Sequence, residues 1–386
     1  MRIDSFRLLP LIAMLSTAPA MRAEEKLELP EILADESGRK AENAAEWREK
    51  VRPRTLDLFR EHVYGRSPLQ DPSLAEWKIT ALHDAPSGLK VSDGDYRFTG
   101  PGGEGRIKVR IVLPASAEKP VPFFLLINNR SPVLADLGTA QGFWPAEAIA
   151  KRGYGTAIFH IADVDPDKAE GFKDGVHAIF DRGKRKPDSW GTIAAWSWGA
   201  SRIVSVLRES PGIDPERIAV VGHSRGGKAA LWCGAQDERV GLTISNESGC
   251  TGAALSRRIH GETIADINKS FPHWFCENYK RYDGKEAELP VDQHQLIGLL
   301  APRLTYVASA AEDDWADPEG EFLACVHATP AYRIFDLPGL TGETMPEVGG
   351  HLHEGRIGYH IRPGKHDLTA EDWGLFMDFA DRHWKR

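Results

Sequence analysis

The chain has 386 residues, enough to bury a sizeable core without covalent staples. Apolar residues make up 41% and charged ones 27%, a globular composition that excludes disordered and fibrous classes. With 48 basic against 56 acidic residues the net charge is −8, which argues against a nucleic-acid surface.

Residues 1–23 read as an export signal. Arg2 and Arg7 frame a short positive region, residues 8–15 are apolar apart from Pro10, and Ala18, Ala20 and Ala23 offer small side chains for cleavage. The run is too short to span a bilayer, which takes about 20 apolar residues, and no later run is long enough. The expected product is a secreted or periplasmic protein, with residues 24–386 as one domain and no membrane association after cleavage. Cys233, Cys250, Cys276 and Cys325 form no C-x-x-C pair, so a zinc ribbon is not supported. Buried thiols are the expected state, although an exported compartment leaves a disulfide open.

Residues 24–40 read as an irregular arm. Trp47, Val51, Leu56, Phe59 and Val63 suit helical spacing, with Pro53 predicted to separate two helices and Gly65 to end the second. Residues 77–82 and 106–113 alternate as strands between Gly and Pro clusters. The run Phe123-Phe124-Leu125-Leu126-Ile127 suits a strand buried on both faces. A helix is predicted near 145–153, a strand over 154–159, and an irregular stretch over 161–189. The basic run 182–186 in it reads as a solvated loop. Asp163, Asp165 and Asp167 alternate but lack the glycine and terminal glutamate of a calcium loop, so no metal is expected.

Apolar positions three and four apart predict a helix over 190–210. Residues 217–222 form a short buried strand, 228–234 a helix, and 242–245, 304–309 and 332–336 further strands. His360 falls on another strand, in Arg356-Ile357-Gly358-Tyr359-His360-Ile361-Arg362. Thr369, with Asp372 three positions on, starts a last helix. Strands alternating with helices predict an α/β fold, a mainly parallel sheet covered on both faces, with an antiparallel edge from the strand-rich start. Residues 249–302 read as an insertion over the carboxyl edge of the sheet, where open α/β sheets bind ligands.

The sharpest motif is Gly222-His223-Ser224-Arg225-Gly226, a G-x-S-x-G between a buried strand and a helix. In that setting the glycines permit a strained turn that exposes the serine hydroxyl, and the helix N-terminus holds an oxyanion. A serine nucleophile needs a base, and the base needs an orienting acid. Of His351, His353, His360, His366 and His383, only His366 sits just ahead of the last helix, where this fold places its base. Two acids fit: Glu247 after the first strand beyond the nucleophile, and Asp313 after a later one. Sequence does not choose between them.

The stretch 221–252, together with Phe271-Pro272-His273-Trp274-Phe275, Pro290-Val291-Asp292-Gln293-His294 and Trp315-Ala316-Asp317-Pro318, resembles the glucuronoyl esterases of carbohydrate esterase family 15, closest to bacterial members. The resemblance runs from about Asn128 to the C-terminus. It implies an α/β-hydrolase fold, a single catalytic domain, and a serine esterase that needs no cofactor. It matches Ser224 to the nucleophile, His366 to the base, Glu247 to the acid of many members and Asp313 to an alternative acid of some bacterial ones. Arg225 matches an oxyanion-hole arginine, and Lys228, Glu262 and Trp315 match positions that hold the uronoyl sugar. The implied substrates are (4-O-methyl-)glucuronoyl esters that link plant cell-wall glucuronoxylan to lignin alcohols, handled by a monomer. Fungal members carry a cysteine before the nucleophile and another after the histidine. This chain has His223 and Asp367 there, so the base must be held by packing or by another bond. An acetyl-xylan esterase-like hydrolase and a non-catalytic saccharide-binding module are the alternative readings.

Overall fold

The computed structural model describes residues 27–68, 74–85, 89–115, 118–131 and 142–384. The export signal read over 1–23 lies outside the described residues.

Ten strands form one sheet: β1 (Leu74–Asp84), β2 (Leu89–Gly100), β3 (Gly103–Pro114), β4 (Val121–Asn128), β5 (Gly155–His160), β6 (Ile213–His223), β7 (Leu242–Asn246), β8 (Leu304–Ala310), β9 (His351–Leu352) and β10 (Ile357–Arg362). Their order is β1-β2-β3-β5-β4-β6-β7-β8-β10-β9. Strands β5, β4, β6, β7, β8 and β10 pair in parallel, β9 pairs antiparallel with β10, and β1, β2 and β3 form the antiparallel edge that the early strands predicted.

The helices are α1 (Ala44–Glu46), α2 (Arg52–His62), α3 (Ala146–Lys151), α4 (Gly175–Phe180), α5 (Thr192–Glu209), α6 (Arg225–Gln236), α7 (Ile264–Ser270), α8 (Gln293–Gly298), α9 (Pro318–Arg333) and α10 (Ala370–Trp384). Strand β4 explains why both faces need cover. Phe123, Leu125 and Ile127 enter one core with Trp196 and Val204 of α5, Trp232 of α6 and Phe322 of α9. Phe124 and Leu126 enter the other with Ile149 of α3 and Trp373, Phe376 and Met377 of α10. An unbroken apolar run is what a strand buried on both faces requires. The result is an α/β-hydrolase architecture. Among the described residues no helix is long and apolar enough to cross a membrane. All four cysteines are buried free thiols, as expected.

Three local expectations are corrected. Pro53 does not separate two helices: Trp47–Val51 widens into a π turn, closed by the Arg52 N–H on the Trp47 carbonyl, and the chain runs on into α2. The wider turn accommodates a ring that an ordinary turn would clash with. Residues 161–189 are not wholly irregular, because α4 lies within them. The strand expected over 332–336 is instead the end of α9 and the turn after it. Helix α9 tolerates Pro330 in its last turn, and the short alternating stretch that follows only imitates a strand.

Candidate active site

Strand β6 delivers Ser224 to the carboxyl edge of the sheet, and α6 starts at the next residue. Ser224 holds φ 56° and ψ −126°, a conformation that costs about 1–3 kcal/mol in a residue with a β-carbon. The surrounding glycines make it possible. A β-carbon on Gly222 would lie 1.9 Å from the Gly226 carbonyl oxygen, and one on Gly226 would lie 3.1 Å from that of Ile127. The Ser224 N–H donates to Asn246 O at 2.9 Å, and its carbonyl accepts from Gly227 N–H at 2.8 Å. The N–H groups of Arg225 and Gly226, at the start of α6, have no acceptor in their own helix.

The loop between β10 and α10 brings His366 to the same edge. Its Nδ1 lies 2.6 Å from Asp313 Oδ2 and 3.4 Å from Glu247 Oε2. Both carboxylates that the sequence left as alternatives thus meet one imidazole. Burial alone would depress the imidazole, but the hydrogen bonds to Asp313 and Glu247 outweigh it and lift His366 to about 9. Burial also pushes Glu247 above the usual carboxylate range, against the pull of His366 and Arg362. These three are the one group of metal-capable side chains found among the described residues, and their mutual bonds account for it. The alternating aspartates serve three different partners. Asp163 accepts from Lys108 N–H at 3.0 Å, Asp165 from Thr192 Oγ1 at 2.7 Å, and Asp167 from Trp274 Nε1 at 2.8 Å.

Ser224, His366, Glu247 and Asp313 line a cavity of about 370 Å³ together with Arg225, Lys228, Glu262, Phe271, Trp274 and Trp315. All eight site residues read from the sequence therefore meet in one place, and part of the 249–302 segment does cover this edge. Arg225 pairs with Asp167, and its guanidinium lies 5.0 Å from the Phe271 ring and 4.7 Å from the Trp274 ring. Despite burial, bonds from His273, Trp274 and Arg225 bring Asp167 down to about 2, so the arginine always has an anion behind it. Lys228 is buried and donates to Ser248 O at 2.8 Å and to Cys250 O, with Glu262 at 3.4 Å. The Glu262 N–H in turn donates to Trp315 O at 2.9 Å. Trp315 itself is 58% exposed, a flat apolar wall at the rim.

Sequence reasoning missed several supports. Arg362 ends β10, buried, with Nη2 2.6 Å from Glu247 Oε1 and Nε 3.0 Å from both Asp372 oxygens. It also donates to the carbonyls of Pro363, Lys365 and Asp367, so one guanidinium holds Glu247 and the loop of His366 together. Glu321 of α9 is a further buried acid. It accepts from the N–H groups of Ser248 at 2.8 Å and Gly249 at 3.0 Å, and burial lifts it to about 8. The available signal for Arg362 was a charged residue closing a buried strand, which must find acceptors inside the protein.

A family model described as glucuronyl esterase, fungi, matches residues 99–336. A carbohydrate esterase from an unknown prokaryotic organism is 39% identical over 396 residues, covering 93% of this chain and 90% of that protein. A 4-O-methyl-glucuronoyl methylesterase of Podospora anserina is 33% identical over 251 residues, which is 61% of this chain and 50% of that protein. Among solved structures, a glucuronoyl esterase from Solibacter usitatus aligns with TM-score 0.86 at 36% identity, covering 92% of this chain and 98% of that one. A family 15 glucuronoyl esterase from Teredinibacter turnerae aligns at TM-score 0.84 and 30% identity, over 92% of this chain and 89% of that one. Sequence and fold agree over nearly the whole length: the chain belongs to the glucuronoyl esterase family, carbohydrate esterase family 15, and is an esterase.

Proposed function

We propose that the protein hydrolyses esters of (4-O-methyl-)glucuronic acid that join glucuronoxylan to lignin alcohols, through an acyl-enzyme on Ser224. The observation that carries this reading is the His366 imidazole, 2.6 Å from Asp313 and lining one cavity with Ser224, Lys228, Glu262 and Trp315. The printed name of the Podospora anserina relative specifies a 4-O-methyl-glucuronoyl methylesterase, which supports the uronoyl half of the substrate.

In the first half-reaction Ser224 Oγ attacks the ester carbonyl carbon and its proton passes to His366 Nε2. The carbonyl oxygen becomes an alkoxide, held by N–H groups at the start of α6 and by the Arg225 guanidinium. Collapse breaks the bond to the alcohol, which takes the proton from His366 and leaves. Water then attacks the acyl-enzyme, His366 accepting and returning its proton, and the free uronic acid departs. Asp313 and Glu247 stabilise the imidazolium that forms twice in this cycle. Lys228 and Glu262 suit sugar hydroxyls, and the Trp315 indole suits the apolar face of a pyranose. Before cleavage the uronoyl group is an uncharged ester, so the negative net charge of the chain does not repel it. No metal or organic cofactor takes part in these steps. Residues 24–386 act as one exported catalytic domain, and a single chain carries every residue of the site.

Benzyl glucuronate hydrolysis by the wild type and by Ser224→Ala, with an acetylated sugar as control, tests the reading. Turnover of the glucuronate ester, lost in the variant, is expected. Turnover of the acetyl ester alone would keep the serine and discard the substrate. Undiminished ligand binding without turnover of either would make the site a saccharide-binding module.

A further inference from the structure

We propose that Arg130 is a positioning residue that bolts the base loop to the nucleophile turn, setting the approach of His366 to Ser224. The inference rests on the assignment of Ser224 and His366 above. Arg130 Nη1 lies 2.7 Å from Asp367 Oδ1, on the residue that follows His366. Its Nη2 lies 3.3 Å from His223 Nε2, on the residue that precedes Ser224. One planar guanidinium thus spans both catalytic segments, a geometry that suits its fixed fork of donors.

The surroundings hold this arginine in place. Asn128, buried at the end of β4, accepts from the Arg130 N–H at 2.9 Å and donates to Ser131 O at 3.1 Å. The Arg130 guanidinium lies 4.6 Å from the centre of the Phe143 ring. His223 is buried, with Nδ1 3.2 Å from Asn246 Oδ1, and its ring centroid is 4.4 Å from that of His366. Because Nδ1–H donates to the Asn246 oxygen, Nε2 carries the lone pair and needs a donor, which Arg130 supplies. Burial and the charges of His366 and Arg130 keep His223 well below its ordinary value, so this ring stays neutral. Asp367 is also anchored within its own loop and to the acid side: its Oδ1 accepts from Leu368 N–H at 2.9 Å, its N–H donates to Glu247 at 2.9 Å and its carbonyl accepts from Arg362 at 2.8 Å. Among the described residues, Arg130 is the side chain that links Asp367 to the residue preceding Ser224. The ion pair is 38% and 49% exposed on its two side chains, too open to add much stability. A role in geometry is what remains.

The test measures benzyl glucuronate kinetics and thermal unfolding for Arg130→Met, Arg130→Lys, Asp367→Asn and the Arg130→Met/Asp367→Asn double variant, with Ser224→Ala alongside. The methionine keeps the packing on Phe143 and loses the donors. Expected is a fall in kcat of about tenfold in Arg130→Met with KM nearly unchanged, since a misplaced base costs rate rather than binding. Arg130→Lys recovers part of it, and the double variant is no slower than Arg130→Met. Full kcat in Arg130→Met overturns the proposal. So does a loss expressed in KM, which would mean a direct substrate contact, or strictly additive losses in the double variant. If Arg130→Met unfolds, the kcat of a folded Arg130→Lys decides: wild-type kcat and KM there overturn the proposal. Wild-type turnover by Ser224→Ala would instead refute the site assignment beneath it.

Discussion

The two carboxylates on one imidazole predict an alkaline acid limb that moves when either is removed. His366 acts as a base only when neutral, so kcat/KM rises with pH through its pKa in the free enzyme. That pKa is about 9, raised from 6.5 by Asp313 and Glu247 against the opposing effect of burial. A rise of this size is about 3 kcal/mol of preference for the imidazolium at full value. The side chain is 41% exposed, and solvent screening reduces this to about half. Asp313, at 2.6 Å against 3.4 Å for Glu247, holds the larger share. Asp313→Asn is therefore expected to move the midpoint of the kcat/KM limb down by about one pH unit. Glu247→Gln should move it less. The same shift has a stability counterpart. Because the folded pKa is the raised one, the imidazolium contribution is fully present below 6.5 and is lost as pH rises to about 9. The assay is a pH series of kcat/KM on benzyl glucuronate from pH 6 to about 10, the window that brackets both values. An unchanged limb in Asp313→Asn would refute the reasoning, and so would a larger movement in Glu247→Gln.

Four further outcomes are expected. Glu247→Ala and Asp313→Ala each keep part of kcat while the double variant loses most, about a thousandfold; a single variant as slow as the double one would refute shared support of His366. Arg362→Met removes the buried cation that faces both Glu247 and Asp372 and destabilises the fold by about 3 kcal/mol, read in a denaturant melt. Trp315→Ala raises KM about twofold to tenfold, while the melting temperature holds because the indole is exposed. Gly222→Ala puts a β-carbon 1.9 Å from the Gly226 carbonyl oxygen, and activity should fall about a hundredfold as the turn reshapes.

Elements that depend on neighbours in the chain were legible from the residues alone. The turn at Ser224 was legible because two glycines, a buried strand and a helix start stand within a few residues of it. The strand β4 was legible because burial on both faces leaves an unbroken apolar run. His366 could be singled out because the base position is defined relative to the helix that follows it. Local signals also misled where tertiary context outweighed them, as at Pro53 and over 332–336. Only the tertiary structure decided how the site is wired. Arg362 reaches Glu247 across 115 positions, Arg225 reaches Asp167 across 58, and His366 reaches Asp313 across 53. No periodicity or spacing encodes such pairings. They follow from the parallel order β5-β4-β6-β7-β8-β10, which sets the ends of these strands side by side. Once those ends converge in a buried space, each charge there must find a partner, and the partners fix Glu247, Asp313, His366 and Arg225 in place.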